Sequence, residues 1–154
     1  MDILFKITGL NKLISFYRYV YFNQPKMVTA TGVGLMILVS LIHLLESPEH
    51  FEVAVYVGIL FLLNFVGSCV AAIGIFRGAR GWGWLLGASI SCTALLAYLA
   101  SRAFGLPGLG GYAGLWSDPV GSFSVLIEGL FVGLYLSLVT GMNVAYPGER
   151  NWYD

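Results

Sequence analysis

The chain has 154 residues, 58% of them hydrophobic and 10% charged, with eight Lys and Arg balanced by eight Asp and Glu and a mean hydropathy of +0.81. Soluble domains run at roughly 45–50% apolar and about 25% charged, so a water-soluble globule is excluded. A nucleic-acid partner is excluded too, because no basic patch is present.

Residues 1–25 predict an amphipathic helix on the cytoplasmic side of a membrane. Ile3, Ile7, Leu10, Leu13, Ile14, Tyr17, Val20 and Tyr21 recur at three and four, and Thr8, Asn11, Lys12, Ser15, Arg18 and Tyr19 take the other face. A stripe with cationic flanks suits a helix lying in the headgroup region, as an anchor first and a docking surface second. Asn23-Gln24-Pro25 is expected to end it, since proline has no N–H to donate and disfavours helix in the residue before it. No small-residue cleavage site follows a short apolar core, so the segment is expected to remain in the mature protein.

Residues 26–143 then predict a bundle of four spans, at about 27–45, 53–76, 82–103 and 120–142, with a cytoplasmic tail over 144–154. Each window approaches or exceeds the roughly 20 residues that cross a hydrocarbon core as helix. The alternating ten-residue segments of a membrane barrel are missing. The expected fold is therefore all-α, an integral membrane four-helix bundle with an N-terminal interfacial helix, and the lipid bilayer is its first partner.

Charge gives an orientation. Lys6, Lys12, Arg18, Lys26, Arg77, Arg80 and Arg150 all fall on one side of the four spans. Cationic loops stay in the cytoplasm, so both termini are expected there. Arg102 alone falls on the outer side, near Glu46, Glu49, Glu52 and Asp118, which suggests a carboxylate partner for it.

Inside the spans, Cys69 and Cys92 read as small buried packing residues at different depths, with no disulfide expected. Gly67-x-x-x-Ala71, Ser68-x-x-x-Ala72, Gly83-x-x-x-Gly87 and Gly129-x-x-x-Gly133 place small residues four apart, where helix backbones approach closely. The pattern serves contacts within one chain and contacts with another subunit equally well.

Any chemistry is expected at the outer face. The first outer connection carries His43, Glu46, Pro48, Glu49, His50 and Glu52, and the second carries Arg102, Gly105-Leu106-Pro107-Gly108 and Asp118-Pro119. Asp118 before Pro119 fits a helix cap followed by proline at the first helical position. Pro48 with Glu49 and Glu52 suits an acidic first turn of span two in the same way. His43 and Glu128 are harder to explain structurally. Glu128 lies eight residues past Val120, about 12 Å into the span at 1.5 Å per residue. An intramembrane carboxylate faces the bundle interior and is paired, and His43, Arg102 and Asn64 are the candidate partners.

Three uses of the cluster His43, Glu46, His50, Glu52, Asn64, Arg102, Asp118 and Glu128 follow. The first is a structural polar network, the second a binding or proton-handling pocket, and the third a metal or haem site built on His43, His50 and Glu128. The seven-residue separation of the histidines, with Pro48 between them, departs from the i, i+4 pair of a zinc helix. Haem attachment through Cys-x-x-Cys-His is absent, and no cofactor is required by the sequence. Neither a nucleophile elbow nor a phosphate-binding glycine loop occurs.

The pattern His43-Leu, Pro48-Glu49-His50-Phe51-Glu52, Ser101-Arg102 with Gly105-Leu106-Pro107, Asp118-Pro119 with Gly121, and Glu128 resembles a family of small four-span bacterial membrane proteins. The likeness covers about residues 33–140 and implies a four-helix protein of the bacterial cytoplasmic membrane, without an assigned substrate. Such relatives often carry a tryptophan after the His-Phe-Glu segment and a glutamine in span two, where this chain has Val53-Ala54-Val55 and Asn64.

The function expected from the sequence is a non-catalytic accessory or assembly subunit, partnered by other membrane subunits or by further copies of itself. This rests on the lack of ionisable groups, other than Cys92, near the middle of spans one and three. A small-ligand or proton-handling transporter is the alternative, followed by a metal or haem protein.

Overall fold

The computed structural model describes residues 10–78 and 81–145, with side chains from residue 24 onward. Residues 1–9, the side chains of residues 10–23, Arg80 and the tail with Arg150 lie outside the described residues, and with them the amphipathic character expected for residues 1–25. Among the described residues four helices follow one another, α1 (Leu10–Val53), α2 (Val55–Phe76), α3 (Trp82–Ala103) and α4 (Pro119–Val139), with a 3-10 turn at Gly110–Tyr112. No strand occurs among the described residues. Helices α1 and α3 each pack on both α2 and α4, so the four close into a ring. The segments Gln24–Val53, Val55–Phe76, Trp82–Ala103 and Pro119–Val139 are each long and apolar enough to cross a membrane. Their outward faces are apolar as well: Leu63, Leu96 and Val139 are each at least 60% exposed, as lipid-facing residues must be.

Both prolines of α1 correct the sequence reading. Pro25 does not end a helix, and Pro48 does not open the second one; each sits inside α1. Without an N–H, Pro48 leaves the carbonyl of Leu44 without its helical donor. The hydroxyl of Ser47 donates to that carbonyl at 2.9 Å, so the carbonyl is satisfied while the helix continues. Glu49 and Glu52 therefore occupy the last turns of α1, and the first turn of α2 holds no acid. The chain reverses at one extended residue, Ala54. A Cβ at Gly58 would come within 2.3 Å of the Phe51 ring, so glycine there lets the end of α1 lie on the start of α2.

At the opposite end the α2–α3 hairpin closes on glycines. Gly81 caps α3 with φ +76, a backbone state open to glycine at little cost. A Cβ at Gly83 would sit 2.6 Å from the Ile75 nitrogen and 2.7 Å from the Gly74 carbonyl carbon, so the two backbones touch. Above this contact lies a dry layer. The rings of Trp84 and Phe131 stack at 5.7 Å, Gly32 makes room for Trp84, and Gly87 makes room for Phe131 and Met36. Met36, Ile75 and Phe131 are at most 1% exposed. Three of the four small-residue pairs thus serve contacts inside the chain. The exception is Gly129 and Gly133, which have nothing within 4 Å of where a Cβ would stand.

The cysteines differ from expectation in part. Both are free, Cys69 being half-buried with its sulfur 3.1 Å from the Ser40 hydroxyl and Cys92 exposed on α3. A thiol is apolar enough to face lipid, so Cys92 needs no place in the core.

Candidate functional site

Beyond the dry layer the bundle opens into a chamber of about 420 Å³, bounded by all four helices and the α3–α4 loop. Its wall includes His43, Glu46, His50, Asn64, Arg102, Asp118 and Glu128. Glu52 is not on the wall and is exposed. The last turns of α1 direct it away from the faces that carry His43, Glu46 and His50.

His43 and Glu128 form the deepest polar pair. Their relative exposures are 6% and 2%, and His43 Nε2 lies 3.6 Å from Glu128 Oε1. His43 Nδ1 lies 2.9 Å from the Val39 carbonyl one turn back. A carbonyl only accepts, so Nδ1 carries the hydrogen and Nε2 is the atom free to exchange a proton with the carboxyl. Ser124, four residues before Glu128 and on the same face of α4, donates to the same Oε1 at 3.3 Å. His50 repeats the arrangement of His43, with Nδ1 2.8 Å from the Glu46 carbonyl. Phe61 stands between the two imidazoles, its centroid 5.0 Å from His43 and 3.8 Å from His50.

Arg102 finds the carboxylate partner expected of it, and that partner is Asp118. Arg102 Nη2 donates to Asp118 Oδ2 at 2.7 Å. The guanidinium lies 4.8 Å from the ring centres of both Tyr98 and Tyr112, a cation–π sandwich. The other carboxylate oxygen of Asp118 accepts from the Val120 N–H at 3.2 Å with Pro119 at the first position of α4, so one residue caps the helix and neutralises the arginine. Asn64 pairs with neither Glu128 nor Arg102; its side-chain oxygen accepts from Ser68 at 3.1 Å.

The α3–α4 loop lies across the end of the chamber. Leu106, Leu109 and Tyr112 reach the wall. The Tyr56 hydroxyl on α2 donates to the Pro107 carbonyl, and the Gly114 N–H donates to the Arg102 carbonyl at 2.8 Å. Sequence reasoning missed Tyr56, Phe61, Tyr98, Tyr112 and Ser124. Ser124 was within reach, because its i, i+4 spacing puts it beside Glu128; the aromatic residues gave no signal distinct from lipid-facing rings.

Among the described residues, no three or more His, Cys, Asp and Glu side chains are grouped to hold a metal ion. The set His43, His50 and Glu128 is not gathered round one point.

Four apolar helices with a chamber that gathers a few polar side chains at one end define a multi-pass membrane protein of the four-helix class. Comparison with protein families, with curated proteins and with solved structures gave no match for this chain.

Proposed function

We propose that this is a membrane protein that binds a small molecule in the chamber and exchanges protons through His43 and Glu128, with the chamber toward the outer face and the termini in the cytoplasm. The observation that carries the reading is the buried carboxyl–imidazole pair on the wall of a ligand-sized cavity. Ligand pockets run from about 300 to about 1,000 Å³, mostly apolar with a few convergent polar groups. A purely structural network would close on itself, whereas His43 Nε2 and Glu128 sit beyond direct hydrogen-bond distance and line open space. Holding one proton between them, the two side chains are neutral, which is the low-cost state for such a pair in a membrane.

Infrared spectroscopy of the reconstituted protein tests this. A carboxyl band assigned to Glu128 by its loss in Glu128→Gln should pass from the protonated to the ionised form as the pH is raised over the range in which the protein stays folded. A band that keeps one form across that range would remove the proton-handling role.

A second reading, an accessory or self-associating subunit, is favoured by Gly129 and Gly133. They leave a small-residue groove on the outward face of α4 that nothing among the described residues fills. Crosslinking in bilayers through cysteines placed on that face tests it, with efficient pairing supporting the reading and no pairing above background opposing it.

A further inference from the structure

The charge on the chamber wall and the place where the wall is thin point to one class of ligand. Chargeable groups are Glu46, Asp118 and Glu128 against Arg102, with His43 and His50 beside them. The wall also carries the hydroxyls of Tyr56, Tyr98 and Tyr112. Arg102 is neutralised by Asp118 at 2.7 Å and its guanidinium lies 4.8 Å from the centres of two tyrosine rings, while its buried Nε makes no hydrogen bond among the described residues. Glu46 makes no ion pair among the described residues, and Glu128 faces only His43, at 3.6 Å. An anion in the chamber would meet the Glu46 carboxylate and an arginine already neutralised, and a neutral molecule would give Glu128 no counter-charge once its proton is lost. An organic cation supplies one.

The route is lateral. Helices α2 and α3 touch backbone to backbone at Gly74 and Gly83, and Ile90 still fills the space over Gly67. Nearer the polar end, Leu60 and Leu63 of α2 and Thr93 and Ala97 of α3 line the chamber while remaining exposed. A residue that does both stands at an opening. The edge of α3 there is thin and chemically quiet, because the Ser89 and Thr93 hydroxyls donate back to the Leu85 and Ser89 carbonyls at 2.9 and 2.8 Å. The loop covers the other approach through Leu106, Leu109 and Tyr112.

Resting on the proton-handling reading above, we propose that the chamber takes a lipophilic organic cation from the bilayer through the gap between α2 and α3, in exchange for the proton shared by His43 and Glu128. The balance closes: one cation enters, one proton leaves to water, and the pair goes from neutral to a single carboxylate that neutralises the ligand. No covalent bond is made or broken apart from the one to the proton.

Tetraphenylphosphonium and tetraphenylborate have nearly the same shape and opposite charge, which makes them the probes. The full chain in phosphatidylcholine nanodiscs, with empty nanodiscs subtracted, should bind the phosphonium saturably and release about one proton per cation bound in weakly buffered medium. Tetraphenylborate should show no saturable binding. Glu128→Gln should abolish both the binding and the proton release. Ala97→Phe, a change at an exposed position on the thin edge, should abolish phosphonium binding while leaving the melting temperature and the infrared titration of Glu128 unchanged. Equal binding of the two ions, binding without proton release, or binding untouched by Ala97→Phe would overturn the proposal. If the phosphonium fails to bind while the Glu128 band still titrates, the cation proposal falls and the proton-handling reading stands; if the band does not titrate, both fall.

Discussion

The two halves of this bundle are held together by different physics. In the half near the α2–α3 turn, glycine faces glycine at Gly74 and Gly83, and Trp84, Phe131 and Met36 are seated in notches left by Gly32 and Gly87. The polar links of this half are few: Gln24 Nε2 donates to Asn143 Oδ1 at 2.6 Å, and the Ser40 hydroxyl lies 3.1 Å from the Cys69 sulfur. In the other half, side chains stand apart around open space, and what joins the helices is polar: Arg102 with Asp118, His43 with Glu128, Tyr56 with Pro107. Lipid is as apolar as leucine, so burying apolar side chains earns a membrane protein little and close van der Waals packing must supply the cohesion. A chamber removes that packing. The molecule accommodates an open polar half because the dry half is packed so closely.

This division predicts that stability is lost first by filling the dry half. Gly83→Leu forces a side chain into the Gly74–Ile75 backbone, where even a Cβ would be 2.6 Å from a nitrogen. Overpacking costs about 1–3 kcal/mol, with backbone clashes at the upper end or beyond, so the variant should lose about 3 kcal/mol or fail to assemble. Phe131→Ala should cost less than the 3–5 kcal/mol of a soluble core, about 2 kcal/mol, because lipid removes most of the transfer part and leaves the cavity part. Unfolding in mixed micelles monitored by tryptophan fluorescence measures both. If Gly83→Leu proved no worse than a substitution on the chamber wall, the two halves would not differ as described.

On the chamber side the comparison is between two changes at one position. Glu128→Ala leaves buried His43 and half-buried Ser124 without their partner, and about 2 kcal/mol should be lost. Glu128→Gln keeps an acceptor and a donor at the same place and should cost under about 1 kcal/mol. Near-native stability of the Gln variant, read in the same unfolding assay, is what makes it usable as a probe of ionisation. Equal losses in the two variants would make the carboxylate a structural part only.

How much of this was legible in the sequence depended on whether a residue's role was set by its own helix. Asp118-Pro119 announced the start of α4, and the lone outer Arg102 announced a carboxylate partner, because capping and charge pairing act over short distances. Pro48 misled for the same reason: a proline before two acids fits a helix start, and only the hydroxyl of Ser47 on the Leu44 carbonyl shows why the helix continues. Glu128 was recognisable as buried from its depth alone. Its preference for His43 over Arg102 and Asn64 was not, since three candidate partners are sorted by the rotation of each helix about its axis. The chamber was invisible in sequence. It arises because α2 and α3 touch at one end and part toward the other, and spacing along a helix carries no measure of distance between helices.

The smallest expected effect tests whether the loop is fixed by the polar half or merely lies on it. Tyr56→Phe removes one hydroxyl that donates to the Pro107 carbonyl at an exposed site, so global stability should change by under about 1 kcal/mol. The loop retains Leu109 in its buried position and the Gly114–Arg102 backbone bond, but loses its tie to α2. Hydrogen exchange over residues 105–116 should therefore quicken, while exchange in the dry half near Trp84 and Phe131 stays as it was, because local opening draws on local contacts. Faster exchange in both places would mean that the loop helps hold the whole bundle and that the two halves are one cooperative unit. No change in either would mean that Leu109 and the arginine–tyrosine stack hold the loop without Tyr56, leaving the side between α2 and α3 as the freer of the chamber's two approaches.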